Sequence, residues 1–330
     1  MTERRYLPEG AWIGSAENTA YTASAEGLEK AMVQGRILEG IAMMCDCADM
    51  RLRVDLGGAD GFIEREEAAY CRDGSAVKDI AIITRVGKPV CFKVLSVEKG
   101  GSRPVVRLSR RAAQEECMNA FILQRTPGDI LPARVTHLEP FGAFVDIGCG
   151  IVSLLSVDCI SVSRISHPSD RLSTGESIMT VVKSVDRESG RVYVTHRELL
   201  GTWEENAALF APTQTVSGIV RSIESYGIFV ELTPNLAGLA EVREGIAVGD
   251  RCAVYIKSMI PERMKIKLVI IDAHGEVCDK RMRYFVDTAS VRHIAAWRYS
   301  PPGCRKVIET VFDDAVYSMP QMCAGNAGKP

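Results

Sequence analysis

At 330 residues and 46% hydrophobic content, the chain has room for two or three buried cores. A net charge of −2 excludes attraction of nucleic acid by bulk charge, so any such site must rest on local patches and stacking. Eleven cysteines, an odd number, with no signal peptide and no apolar run long enough to span a membrane, argue against a disulfide scaffold and predict reduced thiols in the cytoplasm.

In chain order, residues 1–24 are small, polar and aperiodic and read as a flexible tail. Residues 26–33 read as a short helix with Ser24 as its N-cap and Gly35 near its end. Strands are predicted at 35–42, 51–57 and 60–63, then at 89–97 and 104–108, which is enough for one small barrel. A helix over 109–124 ends at Pro127-Gly128. It opens a second set of strands at 129–137, 141–147, from 150, at 176–185 and at 191–195, the last two joined by the turn 186–190. A helix over 198–210, with Trp203 as a buried anchor, leads to a third set at 214–222, 226–232, 236–240, 251–260 and 265–271. Beyond His274, basic and aromatic residues cluster (Arg283, Tyr284, Phe285, Arg292, Trp297, Arg298, Tyr299) and predict a short helix–turn–helix packed on the third barrel.

The stretch Phe141-Gly142-Ala143-Phe144-Val145-Asp146-Ile147 organises this pattern. Alternation puts Ala143, Val145 and Ile147 on one face and Phe144 with Asp146 on the other, in water. The pattern returns at 226–232 and, degraded, at 51–57, with Leu52/Val54/Leu56 and Ile228/Val230/Leu232 in the same phase. The anchor valines 54, 145 and 230 lie 91 (145−54) and 85 (230−145) residues apart, a spacing of whole small domains in tandem. The outward positions change from Arg51 and Arg53 to aromatics. One fold used three times with a variable outer face predicts a binding surface.

Gly128-Asp129, the run His137–Val145, the loop Ser166-His167-Pro168, the turn Thr174-Gly175-Glu176, and Val185-Asp186 with Arg191 together resemble the RNA-binding module named after bacterial small-subunit ribosomal protein S-one. The resemblance is strong over 128–198, good over 213–272, and weak but in phase over 35–110. As a whole the chain is similar to the short, three-module S-one proteins of some Gram-positive bacteria. It implies an all-β dominated chain: tandem five-stranded OB-fold barrels joined by short helices, with a small mixed C-terminal appendage. The division is a flexible N-terminal tail (1–24), a degenerate OB-fold module (25–110), a linker helix (111–127), an RNA-binding module (128–198), a linker helix (199–212), a second such module (213–273), and the appendage (274–330).

The resemblance also implies where RNA would lie. In the second module it points to Phe141 and Phe144, with the turn acid Asp186 and Arg191, and it places Ser153 where the family has a histidine. In the third it points to Tyr226 and Phe229, with Arg263, Lys265 and Lys267 as a basic cluster in and beside the turn. In the first module Met50 and Arg53 replace the aromatics, so base stacking is not expected there and a docking role is. A generic F-x-x-F is more often core than surface, but Val145 and Ile147 already claim the inside. Asp186 and Arg191 could equally form only a turn ion pair. His274, Cys278, His293 and Cys304 could supply zinc ligands, yet no C-x-x-C accompanies them and scattered residues are the commoner explanation. No cofactor, metal or catalytic motif is expected.

The expected function is binding of single-stranded RNA (mRNA) in translation, as an S-one-like small-subunit component or associated factor. The expected partners are single-stranded RNA and the small ribosomal subunit, with no membrane and a monomeric free protein. The alternative is a protein-docking or regulatory adaptor whose modules bind the ribosome or RNA-processing enzymes with little RNA contact. A weaker one is a substrate-binding accessory to a separate enzyme.

Overall fold

The computed structural model describes residues 5–100, 103–274 and 282–312. Two short helices come first, α1 (Ala16–Thr22) and α2 (Ala25–Val33). Each is opened by a serine, Ser15 or Ser24, whose hydroxyl accepts the N–H three residues on. The first barrel comprises β1 (Leu38–Asp46), β2 (Arg51–Asp55), β3 (Asp60–Ile63), the short helix α3 (Asp79–Ile83), β4 (Pro89–Glu98) and β5 (Val105–Ser109). The linker α4 (Arg110–Ala120) leads to β6 (Ile130–Glu139), β7 (Gly142–Asp146), β8 (Val152–Ser156), β9 (Ser177–Asp186) and β10 (Arg191–Thr195). After α5 (Trp203–Ala207) come β11 (Thr215–Glu224), β12 (Gly227–Thr233), β13 (Leu236–Ala240), β14 (Arg251–Ile260) and β15 (Lys265–His274). A small two-stranded sheet, β16 (Ala296–Arg298) with β17 (Glu309–Val311), follows.

All three five-stranded sheets close in one order, β1-β2-β3-β5-β4 and its equivalents, with the third and fifth strands parallel. This is the tandem of OB-type barrels that the repeat predicted, and closure leaves no open sheet edge. The inward triplets fill the barrels: Leu52, Val54 and Leu56, then Ala143, Val145 and Ile147, are buried, as are Ile228 and Val230. Leu232 is only half-buried, because pairing of β12 with β13 shifts between Glu231 and Thr233. The first strand of each barrel bulges at the same point: pairing to the second strand skips a residue between Ala42 and Met44, Val135 and His137, and Val220 and Ser222.

Residues 5–24 are not a flexible tail. Helix α1 lies on α2 and β1, with Asn18 bonded to the Glu39 backbone. Residues 5–10 pack into the junction of the first two barrels, where Tyr6 is buried and stacks on Phe121 with ring centroids 5.4 Å apart. Glu9 is buried there and accepts from Arg110 Nε at 2.7 Å and Nη2 at 3.0 Å, while its own N–H donates to Asp146 Oδ2 at 2.7 Å. Burial alone would raise the Glu9 pKa, but the Arg110 charge and hydrogen bonds overcome it and hold the carboxyl below its ordinary range. Asp146, expected in water, is 2% exposed. It does point outward from the barrel, and the N-terminal segment covers it. Burial, then the neighbouring Glu9 charge, pushes it up to about 7.

The second and third barrels meet through the counterpart of Asp146. Glu231, two residues past Phe229 as Asp146 is past Phe144, is buried and pairs with Arg171 from the second barrel and with Arg221 at 2.8 Å. Asn235 seals the same junction, accepting from Val162 N–H at 2.9 Å and donating to the carbonyls of Arg197 and Gly201. Trp203 is buried in the third barrel's core, as its place in the linker predicted.

Residues 282–312 contain no helix–turn–helix. They run as an extended strap over the second and third barrels. Ile294 N–H donates to Gly128 O (2.9 Å), Ile130 N–H to Arg292 O (2.8 Å), and Trp203 N–H to Tyr299 O (3.0 Å). The buried residues Trp297 and Tyr299 alternate with exposed Arg298, a strand period rather than a helical one. Cys278 lies outside the described residues. His293 bonds Asp129 at 2.9 Å and the Cys304 thiol donates to Pro261 O at 3.2 Å, so the two are engaged at different places. Among the described residues no group of three or more His, Cys, Asp or Glu could hold a metal ion.

Candidate nucleic-acid interface

The pleat of β7 and β12 turns Phe144 and Phe229 outward, and the tight turn before each strand brings a second ring beside it. Phe141 and Phe144 meet edge-to-face with centroids 6.0 Å apart and planes at 87°. Tyr226 and Phe229 repeat this at 6.2 Å and 89°. Phe141 is 54% exposed and Tyr226 67%, while Phe144 and Phe229 are half-buried against their barrels. Each pair therefore offers a fixed aromatic corner with one free ring. At both turns a glycine is required: a Cβ on Gly142 or Gly227 would lie 2.5 Å from Leu155 O or 2.7 Å from Ala240 O.

Strand register extends the two corners into rows across the barrel. In the second barrel the row runs His137, Phe144, Leu154, Tyr193, Ser184. In the third it runs Ser222, Phe229, Leu239, Lys267, Ser258. In the first it runs Met44, Arg53, Phe62, Arg107, Ser96. Three members escaped the sequence. The His137 ring lies nearly parallel to Phe144 (centroids 6.5 Å, planes 21°), placed there by the bulge in β6. Tyr193 sits on the last strand and is 37% exposed. Phe62 gives the first barrel an aromatic on its third strand, with the Arg51 guanidinium 5.1 Å above the ring. Alternation along β10 and β3 was the available signal for the last two, but only pairing shows what stands beside them.

Ser153, placed by the resemblance where the family has a histidine, does not reach the outer face. It is buried inside the barrel, where its hydroxyl donates to Val192 O at 2.7 Å, and Leu154 faces outward beside Phe144. In the turn, Asp186 accepts from the Glu188 and Ser189 N–H groups at 3.0 and 3.2 Å and from the Ser189 hydroxyl, which holds its pKa below the ordinary value. Its carboxylate is thus committed to shaping the turn. Arg191 is exposed next to it. Arg263, Lys265 and Lys267 are exposed on the turn and outer face of β15. Chemically the two barrels present stacking planes flanked by cations, with no nucleophile–base pair among these groups.

Residues 125–197, the second barrel with its flanks, match the S1 RNA binding domain family. The chain is similar over most of its length to small ribosomal subunit proteins bS1. It is 27% identical to that of Pseudomonas aeruginosa over 269 residues (77% of this chain, 46% of the relative). It is 28% identical to the bS1 homolog of Bacillus subtilis over 256 residues (76% and 63%). Over 196 residues it is 30% identical to bS1 of Rhodopseudomonas palustris, 58% of this chain and 33% of that one. These matches span about a third to two thirds of the relatives' own length. A solved multidomain protein with nucleic acid binding domains from Streptococcus pneumoniae aligns over 74% of this chain and 76% of its own, at 16% identity and a TM-score of 0.24.

Proposed function

We propose that this protein, a relative of bacterial bS1, binds single-stranded RNA such as mRNA in translation, on or beside the small ribosomal subunit. The observation that carries this reading is the pair of near-identical, outward-facing aromatic corners at one register of two barrels. An aromatic plane stacks on any unpaired base, at about 1–3 kcal/mol per base, and a duplex withholds its base faces. Phe141, Phe144, Tyr226 and Phe229 are the stacking groups. Arg191, Arg263, Lys265 and Lys267 supply phosphate contacts, and Asp186 shapes the turn that presents Arg191. Two modest sites on one rigid chain gain through effective concentration. Titrating the full chain with an unstructured RNA and with the same sequence as a duplex tests it. The single strand should bind at least about tenfold tighter, and equal binding would sink the stacking mechanism.

The first barrel supports a different partner for its own face. There Arg51 covers Phe62 and Arg53 pairs with Asp60 at 2.9 Å, so the only ring in the row is already occupied. An arginine-rich face of this kind suits an acidic protein surface or structured RNA on the ribosome better than a free base.

A further inference from the structure

Beyond the third barrel's aromatic corner the outer surface continues as a line of cations. Phe229 faces Leu239 and Leu239 faces Lys267, which places the ring and the ammonium in one row. Lys265 follows on the same side of β15, with buried Ile266 between them, and the strand begins at the Pro261–Arg263 turn. The strap arrives at this turn. Its loop 300–306 is closed by the Ser300 hydroxyl, which donates to Lys306 O and accepts from Ile308 N–H, both at 2.8 Å. The buried Cys304 thiol donating to Pro261 O at 3.2 Å seats the loop against the turn. Arg305 and Lys306 follow Cys304 directly and Arg263 lies two residues beyond Pro261, so this hydrogen bond brings the two basic segments together.

All five cations are exposed, and among the described residues none has a carboxylate within 4.0 Å. Glu262 is the acid within the turn itself. By contrast Arg51, Arg53, Arg65, Lys99 and Arg103 of the first barrel each pair with an acid. In a chain of net charge −2, a row of cations without internal partners points to an anionic ligand.

We propose that RNA leaving the Tyr226–Phe229 corner runs along β15 and over the strap loop, where Arg305 and Lys306 hold its backbone phosphates. The strap, outside the residues matched to the S1 domain, is then part of the RNA surface as well as a brace. This rests on the stacking role of the corner, and the test separates the two. The full chain, Arg305→Ser/Lys306→Ser, and Phe229→Ala are each titrated with an unstructured RNA across a salt series. The strap variant should melt like the parent, bind several-fold more weakly at low salt, and show a slope of log K against log salt shallower by about 1.4, roughly 0.7 for each phosphate no longer neutralised. Phe229→Ala should weaken binding with the slope unchanged. An unchanged slope in the strap variant, with Phe229→Ala still weakened, overturns the strap's role and leaves the corner standing. If neither variant binds more weakly, both fall together.

Discussion

At the scale of single residues, phase along a strand was legible and cover was not. Alternation placed Phe144 and Phe229 outside and the triplets inside, because a pleat permits only two directions. The same alternation sent Asp146 to solvent, and nothing within the strand could reveal that Glu9, far away in sequence, lies over it. Phe144→Ala should weaken binding of unstructured RNA by about 1–3 kcal/mol. It should change thermal stability by less than about 1 kcal/mol; a large drop in melting temperature would mean the ring is core. His196 offers a second test. It is buried, with Nδ1 bonded to Ile160 O (3.1 Å) and Nε2 to the Tyr284 hydroxyl (3.3 Å) of the strap. Burial lowers its pKa from the ordinary 6.5 to about 4. Between those values the unfolded chain takes up a proton that the folded chain refuses. The stability from neutral His196 is therefore full above about pH 6.5 and declines by roughly 3 kcal/mol as pH falls to about 4. Glu39, pushed up to about 7 mainly by burial, and Asp146 work in the opposite sense, losing stability as pH rises toward 7. The comparison that isolates His196 is unfolding of the parent and His196→Asn at pH 7 and pH 5. Acidification should move the stability of the parent less favourably than that of the variant, by about 2 kcal/mol, and equal shifts would show that His196 is not the titrating group.

At the scale of elements, barrel strands and the first linker could be read because each carries its own local signals, such as Ser109 accepting Ala112 N–H at 2.8 Å to start α4. The second linker, expected as one helix over 198–210, is instead a 3-10 turn at Arg197–Leu200 and the five-residue α5, separated by Gly201 at a φ of +82°. The bulges in β1, β6 and β11 could not be read, since an inserted residue shows only against its partner strand. The strap escaped for a related reason: its aromatics form a cluster in composition, whereas their spacing of two decides the element. The Glu231 junction is the element-scale feature that ties the second and third barrels together. Burial, the larger effect, lowers the Arg171 pKa, and Glu231 opposes it. Glu231→Ala would leave Arg171 and Arg221 facing each other without their carboxylate, at a cost of about 3–5 kcal/mol. Denaturant unfolding should show this as a lower midpoint for the unit formed by the second and third barrels. An effect below about 1 kcal/mol would mean water replaces the carboxylate and the junction is loose.

At the scale of the whole molecule, a net charge of −2 leaves no general excess of cations, so few phosphates can be engaged. The four cations beside the corners and the two on the strap predict a slope of log K against log salt of about −4, roughly 0.7 for each phosphate; one steeper than about −6 would reveal a phosphate-dominated surface instead. Arg51→Ser/Arg53→Ser in the full chain should leave affinity for free RNA within about threefold and reduce co-sedimentation with small ribosomal subunits, and the reverse result would make the first barrel an RNA module. Substitution is the right tool, since removing the first barrel would also strip Glu9 from Asp146. The covering of the middle barrel from both directions has a consequence for the order in which the chain matures during synthesis. Glu9 waits 137 residues for Asp146, and Gly128 waits for Ile294, 166 residues later (294−128). The middle barrel can close on its own strands as it emerges, but its surface is complete only after the strap has left the ribosome. Nascent chains halted before residue 282 should therefore carry a second barrel that is folded yet cut readily by protease near Gly128, and release of the last stretch should abolish that cleavage.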